Sequence, residues 1–152
     1  MRKKENNHLK KVGQIIQLFI SEEGQKQRQE KESITVDSRG IQNDKYYNKN
    51  SERSILITSL KSYNLAQEHH IDMPHASLGE NLLIDYNPYS LPSGTILQIG
   101  SAQLKISQNC TLCDHLSSID EKLPVLLKHD RGIFAKVIKE GEMKKEDAIY
   151  LL

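Results

Sequence analysis

The sequence predicts a mainly β (α+β) fold: a small barrel or sandwich of short strands with one or two short helices. Short runs rich in Ile, Leu and Val recur along the chain, separated by clusters of Gly, Pro, Asn and Ser. Two of them, Thr95–Ile99 and Ala102–Ser107, flank Gly100-Ser101, a two-residue hairpin signal. Helical spacing is confined to a brief stretch after Ser59.

Residues 1–10 are basic and read as a flexible arm, with residues 11–152 as one domain. Val12–Ile20, rich in β-branched residues, reads as the first strand. Ser21–Ser33 is polar, contains Gly24 and reads as a loop. Ile34–Val36 is a short strand, Asp37–Gly40 a turn, and Ile41–Asn50 a polar excursion without a period. Ser54–Thr58 has strand length and composition. Ser59 is placed as the N-cap of a helix over Leu60–His69, which carries Leu60, Tyr63 and Leu65 at near-helical spacing.

Leu82–Ile84 is a further strand, and Pro88, Pro92 and Gly94 mark turns. In Ala102–Ser107 the apolar Ala102, Leu104 and Ile106 alternate with polar neighbours, so one face is buried and one is wet. Ser117–Lys128 reads as a short helix broken by Pro124. Gly132–Ile138 is a strand, and Glu142–Leu152 a polar-then-apolar tail. The reading contains about seven strands.

At 152 residues the chain is long enough to fold without a staple. Lys and Arg total 21 against 20 Asp and Glu, which argues against a nucleic-acid-binding surface. The apolar run after the basic arm is interrupted by Gln14 and Gln17, so neither a secretion signal nor a membrane span is expected. With both cysteines close together, a reducing, cytoplasmic setting is expected.

Those two cysteines, Cys110 and Cys113, follow a strand in Asn109-Cys-Thr-Leu-Cys-Asp-His115. Four readings compete. Cys110, Cys113, His115 and a fourth ligand such as His129 could close a zinc tetrahedron. A redox dithiol is a second reading, but it belongs at a helix start, and Asp114 would raise a neighbouring thiol pKa. Two inert, partly buried cysteines are the third. The fourth is one reactive thiolate that binds a soft metal or carries sulfur. Charged or glycine-bearing turns at Arg39-Gly40, Asp44-Lys45, Gly79-Glu80-Asn81 and Arg131-Gly132 could bring cations around such a thiolate and also hold a phosphate.

Taken in order, Gly40-Ile-Gln-Asn-Asp-Lys45, Ser54–Thr58, Leu78-Gly-Glu-Asn-Leu82, Leu91-Pro-Ser-Gly-Thr95, the Cys110–Cys113 loop and Asp130-Arg-Gly-Ile-Phe-Ala-Lys-Val137 resemble the MOSC domain, the family named after the carboxy-terminal domain of molybdenum cofactor sulfurase. The resemblance implies a small mixed β-barrel-like fold. It also implies molybdenum-cofactor (molybdopterin) or sulfur-transfer chemistry, with the pyridoxal phosphate association of the family. Cys113 would be the catalytic thiolate, carrying persulfide or binding molybdenum. Arg131, Lys45, Arg39, Asp44, Glu80, Asn81 and Cys110 would surround the cofactor.

Where the family has Gly-Asp-Arg, this chain has Asn43-Asp44-Lys45, and a lysine cannot grip phosphate bidentately. The family's reductases carry a preceding β-barrel domain, so here the cofactor is expected to be transient. No flavin or iron–sulfur motif is present, so a reductase role would need an electron-transfer partner, and a sulfur-carrier role would need a sulfur donor. The alternatives are a non-catalytic cofactor- or sulfur-carrier module and a zinc-stapled domain.

Overall fold

The fold is described from a computed structural model for residues 9–110 and 116–152. Eleven strands occur among the described residues. They are β1 (Lys10–Ile20), β2 (Gln29–Lys31), β3 (Ser33–Asp37), β4 (Gly40–Ile41), β5 (Ile55–Ser59) and β6 (Leu82–Ile84), followed by β7 (Ile96–Ile99), β8 (Ala102–Asn109), β9 (Ile133–Lys139), β10 (Gly141–Lys144) and β11 (Ala148–Leu151).

Seven of them close a barrel in the order β1-β6-β5-β9-β8-β7-β11, and β11 returns to β1. The β5–β6 pair is parallel and the others are antiparallel, so the barrel is mixed. β2 extends β1 outside the ring, while β10, β3 and β4 form a separate small sheet. The parallel pair needs a crossover, and the helix Leu60–Glu68 supplies part of it. Ser59 caps that helix as expected, its Oγ accepting the Lys61 amide at 3.1 Å.

Strand alternation separates two apolar layers. Ile55, Ile57, Leu82 and Ile84 join Leu97, Ile99, Leu104 and Ile106 in the barrel interior. Leu83, between two of them, turns outward to Phe19, Tyr63 and Ala66 under the helix. Leu56 likewise faces away from the interior and meets Phe134 and Cys110 in a third cluster. This outer face of β5 and β9 becomes the floor of the candidate site.

The hairpin at Gly100-Ser101 forms in the expected register, with Ile99 opposite Ala102. Four expectations change. The first strand starts at Lys10, inside the expected arm, because its first residues pair with Leu151 and Tyr150. The expected loop over Ser21–Ser33 contains β2. The carboxy-terminal tail is not a tail: it forms β10 and β11, and β11 is the strand that closes the ring. The expected helix around Pro124 divides into single turns at Leu116–Ile119 and Leu123–Leu126, with Pro124 in the first turn of the second. No helix among the described residues is long and apolar enough to cross a membrane.

Candidate functional site: a cationic cavity on the barrel flank

A cavity of about 490 Å³ lies on the outer face of the barrel. Its floor is Leu56, Phe134 and Cys110. Leu56 and Phe134 are register partners on β5 and β9, so their side chains leave the sheet on the same face. Cys110 directly follows β8, and its amide donates to the Gly132 carbonyl at 2.9 Å. That bond ties the start of the cysteine loop to the Arg131-Gly132 segment. A register irregularity between Ile106 and Gln108 lies just before this strand end, as bulges do beside sites that must re-aim a chain.

Three cations line the walls: Arg28, Lys49 and Arg53. No carboxylate lines the cavity among the described residues, and none forms an ion pair with these three. Arg53 lies with its guanidinium 4.5 Å from the centre of the Phe134 ring, a cation–π contact that fixes it over the floor. Arg28 is half-buried. Burial pushes its guanidinium below the ordinary arginine value, against the opposing pull of Asp44 and Glu80. Its Nη1 is sealed from solvent and has no hydrogen-bond partner among the described residues. Such an arrangement can receive an anion of pterin or nucleotide size.

The turn Gly79-Glu80-Asn81 forms another wall, and its three residues do different work. Gly79 has φ +83°, a left-handed conformation that costs glycine nothing. Asn81 is a buried stitch: its Oδ1 accepts the Leu56 amide at 3.0 Å and its Nδ2 donates to the Phe19 carbonyl at 3.2 Å. Glu80 is fully buried beneath the wall. Its Oε2 accepts the Tyr63 hydroxyl at 2.5 Å and the Ala76 amide at 3.0 Å, and its Oε1 has no hydrogen-bond partner among the described residues. Burial raises the Glu80 carboxyl pKa, while the Tyr63 bond opposes the rise.

Of the site residues named from sequence, Cys110 and Asn81 line the cavity. Asp44 does not. It is buried, and its two oxygens accept the amides of Ser21 at 2.7 Å and Tyr46 at 3.1 Å, so it holds the turn that presents Tyr46. Lys45 lies outside the lining, its Nζ 5.2 Å from the centre of the Tyr46 ring. Arg39 is exposed and outside the cavity, its amide bonded to Asp37.

Arg131 is buried at 5% exposure, outside the lining, with Nε and Nη1 unpartnered among the described residues. Its neighbour Asp130 is taken by Lys61 at 3.2 Å. Cys113 and His115 lie outside the described residues. Among the described residues no three His, Cys, Asp or Glu side chains gather as a metal site, and His129 is exposed.

The cations that do line the cavity were not singled out from the sequence. Arg28 sits in a Gln- and Glu-rich stretch, and Lys49 and Arg53 in the polar excursion and the turn after it. Neither stretch has a period, and only their polarity marked them.

The described residues form a closed mixed barrel of seven strands with a cationic cavity on its flank, and Cys110 in the floor of that cavity. The model of the MOSC domain family matches residues 42–150, and the chain belongs to that family. Three solved structures share the fold. The YuaD protein from Bacillus subtilis has a TM-score of 0.76 at 16% identity, covering 94% of this chain and 97% of that one. YiiM from Escherichia coli has a TM-score of 0.69 at 16% identity over 91% and 69%. YiiM from Geobacillus stearothermophilus has a TM-score of 0.68 at 15% identity over 95% and 75%. At these identities the likeness is one of fold. Among curated proteins, none matches the chain in sequence.

Proposed function

We propose that the chain works in molybdenum-cofactor or sulfur-transfer chemistry, with the flank cavity as its ligand site and Cys113 as its working thiolate. The carrying observation is the cavity itself: Arg28, Lys49 and Arg53 on the walls, no lining carboxylate among the described residues, and the first cysteine of the loop in the floor. Cys113 is three residues beyond Cys110 in the sequence.

The residues fit a pterin that carries a phosphate. The volume suits a ligand of that size, the cations suit the phosphate, and the sealed Nη1 of Arg28 is a donor in want of an acceptor. Arg28, Lys49 and Arg53 would hold the anionic end, and Leu56 and Phe134 would cover the flat ring. A thiolate is the soft ligand that a molybdenum or sulfur centre prefers. When bound, the cofactor supplies the redox chemistry of its metal. The chain binds and orients the ligand and presents sulfur. As a reductase component it would draw electrons from a partner protein.

Mass spectrometry of the native protein isolated without reductant, before and after exposure to a persulfide donor, tests the reading. A pterin, a metal or a sulfur adduct is expected. The adduct should disappear in Cys113→Ser and persist in Cys110→Ser. Bare protein, with a Cys113 that alkylates no faster than a free model thiol, would overturn it.

A further inference from the structure

We propose that the outer face of β1, β11, β7, β8 and β9 is a docking surface for an acidic protein partner. The feature is distinct from the flank cavity, and none of the lysines that carry it lines that cavity.

Charge is balanced over the whole chain, with 21 Lys and Arg against 20 Asp and Glu. It is not balanced over the barrel. The seven ring strands contain no aspartate, glutamate or arginine, and they contain Lys10, Lys11, Lys105, Lys136 and Lys139. Every acid of the chain therefore lies outside the ring strands. Of these lysines only Lys136 has an ion-pair partner among the described residues, Glu52 at 3.0 Å. The nearest acid in sequence is Glu140, which follows Lys139 at the end of β9.

Register gathers the lysines. Lys105 on β8 is the partner of Lys136 on β9 and of Ile96 on β7. In the next row Lys11, Tyr150, Gln98, Gln103 and Lys139 face one another in turn across five strands. Their neighbours Ile149, Leu97, Leu104 and Val137 point into the barrel, so this row points out. Lys11, Lys105 and Lys139 are exposed, and Ile138 is 41% exposed. Ile96, Ile138 and Tyr150 belong to none of the three apolar clusters. The face thus mixes lysines with apolar side chains that the core does not use.

Charge complementarity selects the occupant. A second copy in a two-fold dimer would set lysine against lysine. A face with no arginine and no fully exposed aromatic lacks the forks and stacking platforms that nucleic acid uses. Apolar side chains among separate lysines suit a protein surface whose carboxylates meet the lysines. Five strands span roughly 19 Å, and the eight residues of β8 roughly 26 Å. That area falls below the about 800 Å² a side of a stable complex, so the encounter is a transient one. β8 runs from this face directly to Cys110, so a docked protein would stand beside that residue. A sulfur or electron donor must reach the same place under the proposed function, but the docking itself does not depend on that reading.

Titration of isotope-labelled protein with an oligo-glutamate peptide, followed through amide NMR shifts, tests the proposal. Shifts should centre on Gln98, Gln103, Lys105 and Tyr150 and shrink between ~20 mM and ~200 mM salt. Lys11→Glu/Lys105→Glu/Lys139→Glu should weaken binding by about tenfold or more. Lys26→Glu/Lys122→Glu/Lys128→Glu makes the same change in net charge at exposed positions elsewhere and should weaken it far less. Lys11→Gln/Lys105→Gln/Lys139→Gln should give an intermediate loss, and keeps the test open if the charge-reversed protein fails to fold.

Absent shifts, or equal losses in the two charge-reversed proteins, would overturn the proposal. So would shifts centred on Leu56 and Phe134, which would move the acid-binding surface into the cavity. A single-stranded oligonucleotide that binds more tightly than oligo-glutamate, and is released by the Lys11, Lys105 and Lys139 reversals, would give the face to nucleic acid instead. None of these outcomes bears on a pterin, metal or sulfur adduct, so failure here and failure of the proposed function are read separately.

Discussion

The Tyr63 hydroxyl donates to Glu80 Oε2 at 2.5 Å, joining two buried side chains behind the wall of the cavity. Burial disfavours both ionised forms and raises both pKa values. The carboxyl therefore keeps its proton to higher pH in the folded chain than in the unfolded one, where 4.5 is the ordinary value. Below that value its contribution to stability is fully present. As pH climbs through the folded value, the contribution is lost, because the native state binds more protons there. Glutamine has no such proton. The stability of Glu80→Gln relative to wild type should rise as pH increases from 4.5 toward neutrality. Urea unfolding at a series of pH values measures this, and a pH-independent difference would refute the raised carboxyl.

Removing the other partner tests the same pair from the other side. In Tyr63→Phe the Glu80 Oε2 keeps the Ala76 amide but loses its shortest donor. The expected cost is about 1–3 kcal/mol, the range for leaving a buried polar atom without its partner. In Tyr63→Phe/Glu80→Leu the costs should fall short of additive, since either change alone removes the bond. Additive costs in denaturant unfolding would mean that the two side chains act independently.

Much of the barrel was legible because its strands alternate. Ala102, Leu104 and Ile106 are all buried in β8, as their spacing implies, and the Gly100-Ser101 turn sets its register against β7. β11 was not legible. Of its four residues only Ile149 is fully buried, and the strand exists through backbone pairing with β1 and β7, which local composition does not encode. The site divides along a similar line. Gly79-Glu80-Asn81 stood out, yet its carboxylate and amide turn inward to hold the wall together. Arg28, Lys49 and Arg53 lie in polar stretches without periodicity, and they meet only because separate turns fold onto one face of β5 and β9.

Asn81 is expected to be the least replaceable polar residue of that wall. Its side chain bonds the Leu56 amide and the Phe19 carbonyl, and its backbone bonds the same two residues again at 2.8 Å each. It thereby joins β1 to β5 just before β6 begins. Asn81→Leu has similar bulk but strands two buried backbone groups, for a loss of about 2–5 kcal/mol. Asn81→Asp keeps the acceptor for Leu56 and sets an oxygen against the Phe19 carbonyl, so it should also destabilise. Equilibrium unfolding of both variants decides the matter, and a wild-type midpoint for either would show that the stitch is dispensable.

Two glycines with positive φ should respond differently to alanine. Gly79 has φ +83°, and a Cβ there would meet nothing closer than 3.8 Å. Gly79→Ala therefore carries only the left-handed backbone penalty, about 1–2 kcal/mol. Gly100 has φ +57°, and its Cβ would collide with the Glu142 carbonyl oxygen and stand 2.7 Å from Asp147 Oδ2. Here the obstacle is backbone, at the point where the β7–β8 hairpin touches β10, and it cannot swing aside. Gly100→Ala should cost clearly more than Gly79→Ala and should disturb the pairing of β7 with β8. Thermal unfolding ranks the two variants, and amide exchange at Gln98 and Gln103 reports the hairpin. Equal melting temperatures would mean that the hairpin tip yields more readily than its packing implies.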